Sequence, residues 1–165
     1  MLVTGVWQFS WTVRDLDAAV RFYRDGLGFE LRLFQEQNNK YTRKLVGYPD
    51  AHIRMAQFNL PGVDPGISGH LIELTQYYAP EADTAQVTET YNPGVAHVAL
   101  ISTDLDAVYQ RVIEFGGRPI SEPVEIQEGV NKGGRAMYVR DPEGFTLEFV
   151  EPPASRLAGL TVGAE

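Results

Sequence analysis

The chain has no cysteine in its 165 residues, which excludes disulfides, thiolate metal ligands and a thiol nucleophile; any metal must be held by nitrogen and oxygen. That usage suits a reducing cytoplasm, the compartment expected for it. Positive charge is also short. Fourteen Lys and Arg against 22 Asp and Glu give a formal charge of −8, and the basic residues are scattered, so a nucleic-acid backbone would meet an unfavourable field and is not an expected partner. Long apolar runs are missing too. None approaches the roughly 20 residues that span a bilayer, and the opening Met1-Leu2-Val3-Thr4 lacks the basic-then-apolar pattern of a signal peptide, so a soluble chain with no membrane partner is expected. What is present, 44% hydrophobic and 22% charged residues, suffices to bury the core of one domain or of two fused half-domains.

The chain repeats itself. Gln8 and His97, Asp15 and Asp104, and Gly28 and Gly117 are each 89 residues apart, in one ungapped register. In the first copy, residues 6 to 13 read as a strand and Asp15 as a helix cap. Leu16, Ala19, Val20, Tyr23 and Leu27 then form an apolar stripe that stops at Gly26 and Gly28, so the helix should end near residue 27. Residues 29 to 35, 51 to 60 and 70 to 77 read as three further strands, with Gln37-Asn38-Asn39-Lys40 as a polar loop, Pro65-Gly66 as a turn and residues 40 to 47 ambiguous. The second copy runs from a strand at His97 through a helix capped by Asp104. Beyond Gly116-Gly117 come a short strand broken at Pro123, a turn at Gly133-Gly134 and strands over 136–140 and 145–151. The expected fold class is α+β: two tandem βαβββ modules, residues 1–78 and 95–152, forming a curved mixed sheet within one structural domain. Residues 79–94 are the linker and 153–165 a tail.

The copies also match at their last strands, where Ile72-Glu73-Leu74 corresponds to Leu147-Glu148-Phe149. In a strand the apolar neighbours of each Glu point to the opposite face, so each carboxylate shares a face with residues two away. A carboxylate held from water needs a charge partner or a metal. With the halves related by a pseudo-twofold, Gln8 and His97 come from equivalent first strands, and Glu73 and Glu148 from equivalent last strands. The expectation is that these four surround one divalent ion, Zn, Ni, Co, Mn or Fe. Taken singly, Gln8 and Glu73 read as solvated or hydrogen-bonded residues, His97 as a core histidine and Glu148 as edge-strand charge; the shared register is what joins them.

Val13-Arg14-Asp15-Leu16-Asp17-Ala18-Ala19, Phe22-Tyr23-Arg24-Asp25-Gly26-Leu27-Gly28-Phe29 and Tyr138-Val139-Arg140-Asp141-Pro142-Glu143-Gly144 through Leu147-Glu148 resemble the vicinal oxygen chelate superfamily over about residues 5 to 152. That group includes glyoxalase I, epimerases, extradiol dioxygenases and bleomycin-binding proteins. The resemblance implies metal ligands at Gln8, Glu73, His97 and Glu148, in a pattern similar to glyoxalase I, and a homodimer. It implies a metal-dependent lyase or isomerase that stabilises an enolate of a small α-oxygenated carbonyl substrate, with Glu148 or Glu73 as catalytic base. The alternatives are a small-molecule binding or antibiotic-resistance protein and an extradiol-type dioxygenase. Four retained ligands argue against the first, and a single histidine against the second. No basic cluster matches the glutathione-carboxylate site of glyoxalase I, which puts glutathione in doubt.

Other residues are weaker candidates. His52 and Arg54 either present a cation to an acidic substrate or decorate the solvent side, the reading preferred. Tyr77, Tyr78 and Tyr91 either line a mouth or cover the junction, again the latter preferred. Lys132 sits in a loop that could close on substrate, and Trp7 and Trp11 read as core or interface residues.

Overall fold

The computed structural model describes residues 2, 5–63, 71–82 and 89–157, and the chain divides into two compact units, residues 1–85 and 86–165. The expected turn at Pro65-Gly66, the strand start at His70, the middle of the expected linker and the tail beyond Leu157 lie outside the described residues. The first unit holds β1 (Gln8–Thr12), α1 (Leu16–Val20, continuing as a π-helical stretch over Arg21–Gly26), β2 (Glu30–Gln37), α2 (Lys40–Val46), β3 (His52–Asn59) and β4 (Leu71–Ala79). Its four-stranded sheet has the order β1-β4-β3-β2, with β1 and β4 parallel and the other pairs antiparallel. The second unit holds β5 (His97–Ile101), α3 (Leu105–Glu114), β6 (Arg118–Pro119), β7 (Val124–Glu125), β8 (Arg135–Arg140), β9 (Thr146–Glu151) and α4 (Ala154–Leu157). Here β5 and β9 are parallel, β9 and β8 antiparallel, and β6 and β7 both pair with β8, as one strand interrupted around Pro123 would. The architecture is α+β, with one mixed sheet in each unit.

Repeat-equivalent residues do equivalent work. The Asp15 side chain accepts from Ala18 N at 2.9 Å and Asp104 accepts from Ala107 N at 2.9 Å, each satisfying an orphan donor of a helix start. The next donors are met from the last strand. Leu16 N reaches Gln76 Oε1 at 3.3 Å, and Leu105 N reaches Glu151 Oε2 at 2.8 Å. Each unit also ties an acidic residue of its helix's first turn to a strand arginine, Arg54 to Asp17 and Arg135 to Asp106, both at 2.9 Å. The cores lie between helix and sheet. Leu16, Tyr23, Phe58 and Leu74 are at most 0% exposed in the first unit, as are Leu105, Val112, Val139 and Leu147 in the second.

The ambiguous residues 40 to 47 form α2, a short helix inserted between the second and third strands of the first unit's βαβββ pattern. Asn39, expected in a loop, caps α2 by accepting from Thr42 N at 2.9 Å, and Gly47 ends it in the left-handed region at φ 82°. The Lys132 loop is tied down: Gly133 N donates to Ile126 O at 3.0 Å and Arg156 Nη1 to Asn131 Oδ1 at 2.7 Å.

Glu151 is bonded by Arg135 and by Leu105 N–H, in that order of importance, which holds its carboxyl below the ordinary carboxylate value of 4.5. A depressed folded value means that this carboxylate contributes stability above its unfolded value and loses it as pH falls through the folded one. Glu151→Gln, which copies the amide of Gln76, should therefore flatten the loss of melting temperature between neutral pH and about pH 3, measured by circular dichroism. A second change tests the same corner. A Cβ on Gly134 would collide with the backbone oxygen of Glu151 and lie 3.0 Å from Asn131 O and 3.1 Å from Pro153 Cδ. Since backbone cannot give way as a side chain can, Gly134→Ala should cost about 1–3 kcal/mol, read from chemical denaturation.

Candidate functional site

Within the first unit, the face of the sheet turned from α1 gathers residues from three strands. Ser10 of β1 and Gln57 of β3 both stand in register with Glu73 of β4. Glu73 is 8% exposed and takes three donors: Gln8 Nε2 at 2.8 Å, Ser10 Oγ at 3.4 Å and Gln57 Nε2 at 2.8 Å. Gln8 spends its amide nitrogen on that carboxylate, and its Oε1 is buried with no hydrogen-bond partner among the described residues. An unpaired amide oxygen beside a buried carboxylate is an arrangement a cation would complete.

The second unit builds the corresponding pair. His97 Nε2 lies 3.3 Å from Glu148 Oε2, and the Tyr138 hydroxyl, cross-strand from Glu148, donates to it at 3.2 Å and sits 3.4 Å from His97 Nε2. Burial and the neighbouring Glu148 push the Tyr138 phenol above its ordinary value, so it stays protonated at neutral pH. Each unit thus brings together its own two expected ligands, Gln8 with Glu73 and His97 with Glu148. Within either unit no three His, Asp or Glu side chains converge among the described residues. Each pair offers donors of the kind a borderline divalent cation takes, an amide oxygen and a carboxylate in the first unit and an imidazole nitrogen and a carboxylate in the second.

Gln57 and Tyr138 are hydrogen-bond partners of the two carboxylates that the repeat alone does not reveal. They occupy equivalent positions, each facing its unit's carboxylate across one strand, and their chemistry sets the two carboxylates apart. Glu73 accepts from two amides and a hydroxyl, whereas among the described residues Glu148 accepts from one phenol and has an imidazole neighbour.

Glu73 also opens onto a cavity of about 260 Å³ in the first unit. Ser10, Thr12, Thr42, Thr75 and Tyr77 supply hydroxyls to its lining. Burial, then Tyr48 and Glu73, raise the Tyr77 phenol, which keeps it a neutral donor. Tyr77 therefore lines a cavity, contrary to the preferred expectation, because strand alternation puts it on the Glu73 face and Tyr78 on the other. Tyr91 is 82% exposed. Arg54 and His52 lie outside the cavity. Arg54 pairs with Asp17, hydrogen-bonds Tyr78 and stacks on Phe34 at 4.7 Å, and His52 meets Glu36 at 2.6 Å. The Arg54 guanidinium holds the Asp17 carboxyl below its ordinary range. Trp11 packs edge-on against Tyr23 at 5.6 Å, whereas Trp7 is 56% exposed.

Residues 6–149 match the family described as the Glyoxalase/Bleomycin resistance protein/Dioxygenase superfamily. The chain is 32% identical over 154 residues to 2-epi-5-epi-valiolone epimerase of Actinomyces sp, covering 91% of this chain and 80% of that protein. It is 30% identical over 149 residues to lactoylglutathione lyase of Haemophilus influenzae, covering 87% and 90%. Among solved structures, a glyoxalase family protein from Bacillus cereus superposes with a TM-score of 0.76 at 20% identity, over 92% of this chain and 95% of that one. A glyoxalase I variant from Zea mays superposes with a TM-score of 0.58 at 22% identity, over 87% of this chain and 44% of that one. At such identities the superpositions carry the fold alone.

Proposed function

The chain belongs to the Glyoxalase/Bleomycin resistance protein/Dioxygenase superfamily, and on that premise we propose that it is a metal-dependent lyase or isomerase in which Glu148 moves a proton at the carbon beside a substrate carbonyl. Relatives named as an epimerase and as a lyase support the reaction class. The observation that carries the residue assignment is the unequal partnering of two equivalent carboxylates: Glu73 accepts from Gln8, Ser10 and Gln57, Glu148 from Tyr138.

Gln8, Glu73, His97 and Glu148 would hold one divalent ion. When bound, it would supply Lewis acidity that lowers the cost of ionising the C–H bond. The protein's own residues do the rest. Three donors fix the orientation of Glu73, which suits an anchor and not a base. Glu148, held by one phenol, has the freedom to take a proton and to return it to the neighbouring atom or to the other face of the same carbon. Tyr138 orients that carboxylate while staying protonated. A small-molecule partner, a homodimer and a cytoplasmic location complete the reading. Two copies would match the length of the maize chain, of which one copy covers 44%. Light scattering on the purified chain tests the dimer.

The metal is tested first. Protein purified without chelator should carry about one divalent ion per chain, and metal-stripped protein should gain thermal stability on adding Zn, Ni, Co or Mn. A metal-free preparation with no thermal shift for any of them would overturn the proposed centre.

A further inference from the structure

On the face of the second unit's sheet that carries His97 and Glu148, polar side chains continue beyond that pair. His97 of β5, Thr146 of β9, Arg140 of β8 and Arg118 of β6 stand in register, strand by strand. Glu148 and Tyr138 lie two residues along β9 and β8, so they share that face. Thr146 is 1% exposed and its hydroxyl has no hydrogen-bond partner among the described residues, a costly state for a buried polar group. The Arg140 side chain is 11% exposed. Its Nη1 donates to Gly144 O at 3.1 Å, which fixes the guanidinium, while Nη2 meets Glu89 Oε2 only at 3.4 Å. Glu89 itself is 60% exposed. In the first unit the residue equivalent to Thr146 is Leu71, in register with Gln8, so the first copy has an apolar side chain at this point.

We propose that Arg140 and the Thr146 hydroxyl form a carboxylate subsite, which takes the acid group of a small keto acid bearing an α-hydroxy ketone and displaces Glu89 from the guanidinium. The proposal rests on the reading of Glu148 as the base and names the substrate class for it. A guanidinium presents a planar fork of N–H donors that matches a carboxylate, and Arg140 already meets one carboxylate, that of Glu89. Glu89 is a weak competitor, because its contact is long and its side chain lies largely in water, where such pairs contribute little. A substrate acid bound there would gain the Thr146 hydroxyl as a further donor and satisfy a group that is buried unpaired. Arg118, exposed at the end of the row, adds positive charge that draws an anion in. One strand, β9, lies between those of Arg140 and His97, which sets their backbones about 10 Å apart. That spacing suits a substrate whose acid group is a few bonds removed from the carbonyl, not adjacent to it.

The test uses the full chain as purified, with two probes: 5-hydroxy-4-oxopentanoate, whose carboxylate stands two methylenes from an α-hydroxy ketone, and its neutral methyl ester. Saturation-transfer NMR titrations read binding, and proton NMR in D2O reads exchange at the carbons beside the carbonyl. The acid should bind the native chain about ten- to a hundredfold more tightly than the ester, and Arg140→Gln should abolish that difference while leaving the ester unchanged. Glu89→Gln removes the competing carboxylate and should tighten the acid about two- to fivefold, with the ester again unchanged. A purely structural Arg140–Glu89 pair predicts no such gain. Thr146→Val should weaken the acid and leave the melting temperature unchanged, since the hydroxyl has no partner to lose. Equal binding of acid and ester by the native chain would overturn the subsite. So would an acid affinity unmoved by both Glu89→Gln and Thr146→Val, which decides the matter even where Arg140→Gln does not fold. Preferential binding of the acid without exchange would uphold the subsite and count against the proton-transfer reading. Exchange of both probes at equal affinity would overturn the subsite and leave that reading standing.

Discussion

Glu148→Gln should slow substrate turnover by about two to four orders of magnitude, the range that positioned acid–base groups supply, while the melting temperature and bound metal stay near those of the native chain. The substitution keeps the size of the side chain and its carbonyl oxygen, so Tyr138 still has an acceptor where it now reaches Glu148 at 3.2 Å. An amide oxygen is also the donor Gln8 is expected to offer a cation. What the variant lacks is a lone pair able to take a proton. The equivalent change in the first unit behaves differently. Glu73 accepts from Gln8 Nε2 and Gln57 Nε2 on opposite oxygens, and Gln at 73 has one oxygen for two amide donors. One buried donor would lose its partner, so Glu73→Gln should lower stability by about 1–3 kcal/mol, a cost Glu148→Gln avoids. Metal analysis, thermal melts and solvent-exchange rates on the two variants separate the roles. Native exchange in Glu148→Gln would transfer the base to another group.

The sequence carried more of this than single residues suggest, because duplication turns positions into a register. The pairing of Asp15 with Asp104 as helix caps, and of Glu73 with Glu148 as strand carboxylates, is legible without coordinates, since caps and alternation are local. The missed helix shows the limit. α2 buries only Thr42, while Tyr41 is 69% and Leu45 66% exposed, so it has no apolar stripe for a periodic reading to find. Its signal lay in Asn39 and Gly47, a cap and a left-handed stop seven residues of helix apart. Gln57 and Tyr138 were missed for another reason. Their importance comes from which residue faces them across a strand, and pairing register is a tertiary property that alternation within one strand does not contain. A polar Gln57 between Ala56 and Phe58 was the available hint. The cavity was invisible for the same cause, since its hydroxyls come from β1, α2 and β4, separated by some tens of residues.

Phe58→Ala should remove about 3–5 kcal/mol of stability, a large share of the roughly 5–15 kcal/mol that holds a domain folded. Phe58 is 0% exposed and lies on the core face of β3, with its ring centroid 6.2 Å from Tyr23 and 6.3 Å from Phe29. Tyr23 in turn touches Phe22 at 5.0 Å and Trp11 at 5.6 Å, so one ring joins the π-helical stretch after α1 to strands β1 and β3. Truncation leaves a void that neighbours on a sheet and a capped helix cannot fill without moving backbone, which places the cost near the top of the range for aromatic-to-alanine changes. Because each unit has its own core, the loss should be local. Hydrogen exchange should show faster exchange in peptides spanning β1 to β4, with those of β8 and β9 keeping native protection. Leu33→Ala on β2, where the side chain is 39% exposed, serves as the control and should shift stability by no more than about 0.5 kcal/mol. Equal loss of protection in both units would mean that the aromatic cluster stabilises the whole chain, and equal stability of the two variants would mean that the first unit's core lies elsewhere.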